Sequence, residues 1–361
     1  MIPYENLSKV NARYQEVFQT RFLAFQEKGW YILGEELKQF ETDFAKYHGT
    51  NHCVGVANGL DALELSLRVL NLPIDSEVIV PSNTYIASIL GIIHAGLRPV
   101  LVEPDFATYN INPLLIEAAI SNKTRAIMVV HLYGKCCDMD PINVLAEKYG
   151  LSVIEDCAQS HDAKYKGRKS GTLGHFGAFS FYPSKNLGAL GDAGAVLTCN
   201  EEHAIELKCL RNYGSKKKYD NEIIGLNSRL DDLQAMFLHI KLPYLTEITQ
   251  HKRALAKLYL DHLKEDFILP VVQEDFFDVY HIFNIRHPKR DELKQYLMTK
   301  GIGSEIHYPI SPNKQVALKE MFGNLSFPIS EQIHATTLSL PCSSCHTASE
   351  IMQVIDILNA F

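Results

Sequence analysis

Residues 176–197 read FGAFSFYPSKNLGALGDAGAVL, in which one lysine, Lys185, lies between two runs of small and apolar residues. Such runs are typical of strands buried in the middle of a sheet. Burial makes an ammonium charge costly, so an amine in such a place tends to lose its proton and become a nucleophile toward carbonyl groups. The alternative is a lysine with a buried stem whose ammonium group reaches water. The stretch therefore predicts a buried sheet core with a candidate nucleophile beside it.

Short apolar runs recur outward from this stretch and alternate with amphipathic segments. The runs cover residues 53–57, 78–80, 100–102, 126–132, 152–154, 178–181 and 195–197. Amphipathic segments such as residues 61–72 and 141–150 lie between them, and the second ends in a glycine. This alternation predicts an α/β fold in which a mainly parallel sheet lies between helices.

The pattern changes in the last third of the chain. From about residue 231 long helical stretches appear, followed by a strand-like run at 281–288 and a helix over 290–301. We expect a large domain over residues 1–244 and a smaller C-terminal α+β domain over residues 245–361.

Composition and charge indicate which classes of molecule the protein binds. The chain has 361 residues, 21% of them charged, and a formal net charge of -7. A mildly acidic chain is a poor general nucleic-acid binder, so we expect a small-molecule partner. The N-terminus has no basic start followed by an apolar run, and no segment reaches the roughly 18 apolar residues of a membrane span. These features predict a cytoplasmic protein with neither a nucleic-acid nor a membrane partner.

Two further motifs are interpreted as carrying no additional cofactor. Gly188, Gly191 and Gly194 do not have the GxGxxG spacing of a dinucleotide site. The CSSCH motif at residues 342–346 has the form of a c-type haem attachment site or half of a zinc site. Haem attachment requires export and the second half of a zinc site is not evident, so we predict no metal.

Polar residues follow several of the apolar runs, at the edge of the sheet where α/β folds place ligands. Asp156 comes directly after one run, and its carboxylate either keeps a pyridine nitrogen protonated or caps the following turn. Gln159 follows and could donate to a ring oxygen. Tyr85 either stacks on an aromatic cofactor or is a core tyrosine.

A candidate anion site begins at Asn58, just before a predicted helix. We expect free amides at Gly59, Leu60 and Asp61 to point outward at the positive end of the helix dipole. Ser180 could add a hydroxyl from the strand before the lysine. An amine, a carboxylate, a phosphate-sized anion site and a stacking ring are together the parts that pyridoxal phosphate needs.

The ordered motifs resemble the DegT-type nucleotide-sugar aminotransferases, pyridoxal-phosphate enzymes of fold type I. The similarity runs nearly end to end and is carried by GEELKQFETDFAKYHGTNHCVGVANGLDAL, HLYG, IEDCAQSHDAKYKGRKSGTLGHFGAFSFYPSKNLGALGDAGAV, GLNSRLDDLQA and RDELKQYLMTKGIGSEIHYP. The family resemblance implies an α/β large domain, a smaller C-terminal domain and a homodimer with shared active sites.

The resemblance also implies a role for each matching residue. Lys185 would be linked to the cofactor and later carry the proton between substrate and cofactor carbons, and Asp156 would pair with the pyridine nitrogen. The other cofactor contacts would come from Gly59, Leu60, Tyr85, Gln159, Ser180 and, from the neighbouring subunit, Asn227. Substrate contacts would come from Lys217, Tyr219, His307 and Tyr308. The basic run Lys216, Lys217 and Lys218 either meets a diphosphate or is a solvated face.

The chain departs from the family pattern at two positions. Leu60 stands where threonine is usual, so that only its amide can serve a phosphate, and Asp162 replaces a usual glycine. Lys185 itself separates the chain from related dehydratases that carry histidine there, which favours amino transfer.

The FYPSKNLGALGDAGAV motif is similar to the group that aminates carbon 3 of dTDP-linked 3-keto-6-deoxyhexoses. Enzymes acting on carbon 4 more often have histidine after the lysine and a Gly-Glu-Gly-Gly run, where this chain has Asn186 and Gly-Asp-Ala-Gly at 191–194. The resemblance implies that L-glutamate donates the amine and that the product, a dTDP-3-amino-3,6-dideoxyhexose, serves surface polysaccharide or glycan synthesis. The alternatives are a carbon-4 aminotransferase and a non-catalytic sensor on the same scaffold.

Overall fold

The computed structural model describes residues 1–217 and 219–361, and Lys218 lies outside the described residues. The α-helices are α1 (Leu7–Ala12), α2 (Gln15–Lys28), α3 (Glu35–His48), α4 (Gly59–Val69), α5 (Ile86–His94), α6 (Pro113–Ala119), α7 (Met139–Tyr149), α8 (Glu201–Leu210), α9 (Asp232–Lys241), α10 (Leu245–His262), α11 (Arg290–Thr299), α12 (Lys319–Phe322), α13 (Pro328–Thr336) and α14 (Ala348–Asn359). Short 3-10 helices cover Leu132–Gly134, Leu242–Tyr244, Pro312–Lys314 and Val316–Leu318.

The strands are β1 (His52–Val56), β2 (Glu77–Pro81), β3 (Arg98–Val102), β4 (Thr124–Val130), β5 (Ser152–Asp156), β6 (Lys164–Tyr165), β7 (Arg168–Lys169), β8 (Phe176–Ser180), β9 (Gly194–Thr198), β10 (Ser215–Lys217), β11 (Asp220–Asn221), β12 (Phe276–Phe277), β13 (Phe283–Arg286) and β14 (Thr337–Leu340).

A seven-stranded sheet forms the centre of the molecule, in the order β1-β9-β8-β5-β4-β2-β3. Neighbours from β8 to β3 are parallel, whereas β9 is antiparallel to both β8 and β1. Its strands are buried because helices cover both faces, which is why they read as continuous apolar runs. The prediction of a mainly parallel α/β sheet is confirmed.

Local signals end the helices where the sequence indicates. Gly150 closes α7 with φ of 62°, in the left-handed region that glycine adopts without strain. After α9 the chain enters a 3-10 turn that contains Pro243. The segment predicted over 61–72 forms α4 over Gly59–Val69, which begins two residues earlier than expected because Asn58 caps it and also ends three residues earlier.

A second hydrophobic cluster is built mainly from α10, α11, α14 and the antiparallel pair β13 and β14. Ile2 from the start of the chain packs into this cluster and pairs with Ile302. The division of the chain after residue 244 remains a prediction, and the extreme N-terminus contacts the C-terminal cluster. None of the helices in the described parts of the chain combines the length and apolar character needed to cross a membrane.

Candidate active site

A cavity of about 550 Å³ lies at the carboxyl edge of the central sheet. Most of the predicted site residues line it: Gly59, Leu60, Tyr85, Asp156, Gln159, Ser180, Lys185, His307 and Tyr308. They meet because β5 and β8 are parallel neighbours that end at the same edge. Because β9 is antiparallel to both β8 and β1, β1 runs in the same direction as β8. The turn between β1 and α4 therefore lies at the same edge of the sheet.

Lys185 lies in the segment between β8 and β9. Its backbone N–H donates to the Tyr182 carbonyl at 2.8 Å, which fixes the turn. The side chain is partly exposed because it lines the cavity. Burial lowers the pKa of the amine to about 8, and the Asp156 carboxylate partly opposes that shift. At pH 7 a pKa of about 8 leaves roughly a tenth of the amine unprotonated, which is the form that acts as a nucleophile and proton acceptor.

Asp156 is the last residue of β5 and is held by two donors. The Ser88 hydroxyl donates to Oδ2 at 2.7 Å, and the Ala158 N–H donates to Oδ1 at 3.1 Å. The Thr84 and Ser88 hydroxyls are themselves 2.7 Å apart. Burial raises the pKa of the carboxyl, while the two hydrogen bonds and Lys185 oppose that rise. The residue is thus a buried, oriented carboxylate, and it does more than cap a turn.

The turn before α4 packs directly against the end of β8. A β-carbon on Gly59 would lie 2.6 Å from the Ser180 β-carbon, so the close approach requires glycine. The Asn58 side chain accepts the Asp61 N–H at 2.9 Å. The expectation of a free amide at Asp61 is therefore wrong, because the helix cap occupies it. Gly59 and Leu60 line the cavity together with Ser180, so their two amides remain candidates for the anion site, which stays a prediction.

Gln159 is oriented by the backbone. Its Oε1 accepts the Tyr133 N–H at 2.6 Å, and its Nε2 donates to the Tyr308 hydroxyl at 3.0 Å. A side-chain amide has two N–H donors, so one remains for a ligand. Tyr308 also approaches Tyr85, with ring centroids 5.0 Å apart. Burial raises the pKa of the Tyr308 hydroxyl, which keeps it neutral.

His307 is fixed by the C-terminal part of the chain. The distance between its Nδ1 and the Ser339 hydroxyl is 2.8 Å, and the Tyr133 hydroxyl donates to its carbonyl. Burial, followed by the charge of Lys185, lowers its pKa to about 4. The imidazole is therefore neutral at physiological pH.

Three predicted residues do not line this cavity: Lys217, Tyr219 and Asn227. All three are exposed, and the first two belong to or adjoin the β10–β11 hairpin. Asn227 adjoins Ser228, whose hydroxyl accepts the Ala57 N–H at 3.1 Å. Their predicted roles remain predictions.

Several cavity residues escaped the sequence analysis, among them His281, Asp192 and Tyr182. Ser88 holds Asp156 from 68 positions away. Local patterns do not identify such long-range partners. His281 begins the run at 281–288 that the sequence analysis interpreted only as a strand. A histidine at the start of a strand does not by itself indicate a functional site.

The aspartate at position 162 and the CSSCH motif both have a structural explanation. Asp162 has φ of 70°, a conformation that favours glycine and that aspartate tolerates, and its carboxylate lies 3.4 Å from the Lys169 ammonium group. In the CSSCH motif, the distance between His346 Nε2 and the Pro3 carbonyl is 2.8 Å, and His346 Nδ1 accepts the Ser343 N–H. The motif thus anchors the start of the chain.

Comparison with known proteins agrees with this site. A model described as the DegT/DnrJ/EryC1/StrS aminotransferase family matches residues 13–359. The chain belongs to this family. The aminotransferase is 53% identical over 362 residues to the dTDP-3-amino-3,6-dideoxy-alpha-D-galactopyranose transaminase of Aneurinibacillus thermoaerophilus, with 100% of this chain and 99% of the relative covered.

Solved structures share the fold of the aminotransferase. The crystal structure of DesV from S. venezuelae has a TM-score of 0.97 at 42% sequence identity, and 99% of this chain and 98% of DesV are covered. The structure of NtdA from Bacillus subtilis, with bound cofactor PMP, has a TM-score of 0.92 at 29% identity and covers 99% of this chain and 84% of NtdA. The predictions of family, fold class and enzymatic activity are confirmed.

Proposed function

We propose that this aminotransferase transfers the amino group of L-glutamate to carbon 3 of a dTDP-linked 3-keto-6-deoxyhexose. The cofactor is pyridoxal 5′-phosphate and the product is a dTDP-3-amino-3,6-dideoxyhexose. The observation that carries the proposal is the pairing of Lys185 and Asp156 across one cavity, beside the anion site at Gly59 and Ser180. The name of the A. thermoaerophilus relative supports a dTDP-linked sugar aminated at carbon 3.

The described residues fit this cofactor. The Gly59 and Leu60 amides and the Ser180 hydroxyl suit a phosphate, because a helix N-terminus stabilises an anion. Asp156, a buried carboxylate fixed by Ser88, suits a protonated ring nitrogen. The free N–H of Gln159 suits a ring oxygen. These groups, which all line one cavity, are the ones that would hold the cofactor.

The chain's own residues divide the chemistry between them. When bound, pyridoxal phosphate supplies an electron sink for the carbon that loses or gains a proton. The amine of Lys185 moves that proton, and a pKa of about 8 allows it both to accept and to release the proton near neutral pH. Asp156 holds a proton at the ring nitrogen through its negative charge. Tyr85 and Tyr308 line the same cavity, with ring centroids 5.0 Å apart, and Tyr85 would stack on the cofactor ring.

Amino transfer to carbon 4 and a non-catalytic sensor are the competing functions. The Asn186 and Gly-Asp-Ala-Gly signature and the carbon-3 name of the A. thermoaerophilus relative favour carbon 3. A sensor does not require a lysine with a lowered pKa opposite an oriented carboxylate, and this chain has both. We therefore favour catalysis at carbon 3.

The function is tested by supplying ¹⁵N-labelled L-glutamate with either a 3-keto or a 4-keto dTDP-6-deoxyhexose. We expect ¹⁵N in the sugar nucleotide and a kcat/KM at least about ten-fold higher for the 3-keto sugar, because a misplaced carbonyl cannot reach the proton carrier. Mass spectrometry of the sugar nucleotide measures the transfer. A preference for the 4-keto sugar would reassign the position, and no transfer to either sugar would refute the function.

We also propose a cytoplasmic homodimer in which each active site uses Asn227 of the partner subunit, and a product that serves surface glycan synthesis. The dimer is supported by the exposure of Asn227 and of the β10–β11 hairpin outside the chain's own cavity, together with the family resemblance. A lysine on that hairpin, Lys217, is then available to a sugar diphosphate in the partner's site.

The shared site predicts complementation between two inactive variants, Lys185→Ala and Asn227→Asp. The first lacks the amine, and the second sets a carboxylate against a dianionic phosphate. In a mixed dimer both changes fall in one site and the other site is wild type. Random pairing makes half of the dimers mixed, so co-expression is expected to restore about a quarter of wild-type activity.

Native mass spectrometry of the co-expressed mixture supplies the control for this prediction. Asn227 is exposed, so its substitution is expected to leave the fold intact. Mixed dimers that form and remain as inactive as their parents would show that Asn227 does not act across the interface.

A further inference from the structure

His281 lines the active-site cavity and has no role in the mechanism above. It lies two residues before β13, which belongs to the C-terminal hydrophobic cluster, whereas Lys185 lies beside the central sheet. The C-terminal part of the chain thus contributes an imidazole to the wall around the proton-carrying amine. Such a residue is a candidate for positioning that amine.

The backbone around His281 is held firmly. The Lys252 ammonium group donates to the His281 carbonyl at 3.1 Å, and the next residue, Ile282, donates its N–H to the Tyr133 carbonyl at 3.2 Å. Gly134 packs so closely against this segment that a β-carbon on it would lie 2.9 Å from the backbone nitrogen of His281. These contacts hold the backbone of His281 in place, as is required of a residue that positions another group.

The imidazole has an unused ring nitrogen. Nδ1 of His281 is buried and makes no hydrogen bond with any residue that the structure describes. A buried polar atom without a partner is costly, so a group arriving in the cavity or moving within it is the natural partner. The flexible amine of Lys185 is such a group, since it lines the same cavity.

The surroundings of His281 keep it neutral. Four titratable groups face it from four segments: Lys185 after β8, Lys252 on α10, His307 before the Pro312–Lys314 turn and His161 after β5. Burial, followed by the charges of Lys185 and Lys252, holds the pKa of the imidazole well below its usual range. A neutral imidazole has one unprotonated nitrogen that can accept a hydrogen bond.

We propose that His281 positions the proton-carrying amine, accepting a hydrogen bond at Nδ1 from the Lys185 ammonium group. No covalent bond changes in this step. The proton stays on the lysine nitrogen, because the amine is the stronger base of the two. The inference rests on the proposed function, since it assigns His281 to the same proton transfer. It makes His281 a positioning residue that acts through Lys185.

The direct test measures the pKa of Lys185 in protein carrying the cofactor as pyridoxamine phosphate, in which the lysine amine is free. Trace acetylation across a pH series, followed by mass spectrometry of the lysine peptide, reports that pKa. His281→Phe removes the acceptor and is expected to lower the pKa of Lys185 by about one unit, because a hydrogen bond stabilises the ammonium form. His281→Asn keeps an oxygen near the Nδ1 position and is expected to retain most of the wild-type value.

Kinetics provide the second readout. His281→Phe is expected to lower kcat about 10- to 100-fold with little change in KM, and His281→Asn to lose less. His203→Phe is the matched control, because His203 also has a buried Nδ1 without a partner among the described residues but does not line the cavity.

The outcomes separate this inference from the proposed function. An unchanged pKa of Lys185 in His281→Phe, or equal effects of phenylalanine and asparagine, would show that the ring only fills space. Wild-type protein that transfers no amine would refute the function, while the acetylation measurement would still decide the role of His281.

Discussion

Replacement of Lys185 by alanine is expected to lower kcat/KM for amino transfer by about 10⁴-fold or more, because one residue supplies both the covalent attachment and the proton carrier. Two other titratable groups of the cavity wall are poor substitutes for this amine. His307 has a pKa of about 4 and Asp156 is committed to two hydrogen bonds. The variant should still bind pyridoxamine phosphate through the anion site. Wild-type turnover in Lys185→Ala would refute the assignment.

The stability of this variant provides its control. In cofactor-free protein the pKa of Lys185 is lowered from 10.5 to about 8. Between pH 8 and pH 10.5 this lysine binds more protons in the unfolded chain than in the folded one, so the free energy of unfolding of the wild type rises with pH. Below about pH 8 the folded protein bears the full destabilisation caused by burying the charged amine. Lys185→Ala is therefore expected to melt at the same or a higher temperature than wild type at pH 7, with the difference shrinking toward pH 10.5. A lower melting temperature would attribute lost activity to misfolding.

Asp156→Asn is expected to lower kcat by about 10²- to 10⁴-fold while cofactor still binds, because a neutral amide cannot hold the ring nitrogen protonated and the electron sink weakens. The amide fits the same space. Ser88 can turn its hydroxyl toward Thr84, 2.7 Å away, and accept an N–H from the new side chain. Stopped-flow absorbance of the half-reaction with L-glutamate measures the loss directly.

Asp232→Asn is the matched control for this prediction. Asp232 is also a buried carboxylate, and it accepts the Gly34 N–H at 2.8 Å, but it does not line the cavity. The control variant is expected to lose stability while each folded molecule keeps wild-type kcat. Equal losses of kcat in the two variants would mean that replacing either buried carboxylate acts through the fold. Asp156 would then have no specific role in catalysis.

The order of residues alone was enough to predict the sheet, the lysine and the carboxylate. Buried strands need apolar residues on both faces, so each strand of the parallel sheet carries its own signature in a short run. Asp156 and Lys185 sit next to such runs, and their positions at one sheet edge follow from the parallel direction of the strands. The glycine at position 59 is visible in the sequence, but the reason for it is tertiary, because a β-carbon there would lie 2.6 Å from the Ser180 β-carbon.

Which of the candidate groups are free to act depends on contacts between distant parts of the chain. One N–H of Gln159 is consumed by Tyr308, and Ser88 reaches Asp156 from helix α5. Hydrogen bonds of this kind join residues far apart in the chain, and residue type alone does not show whether a donor already has a partner. The lowered pKa of Lys185 and the neutral His281 have the same origin. Burial and neighbouring charges arise only when distant segments of the chain pack together.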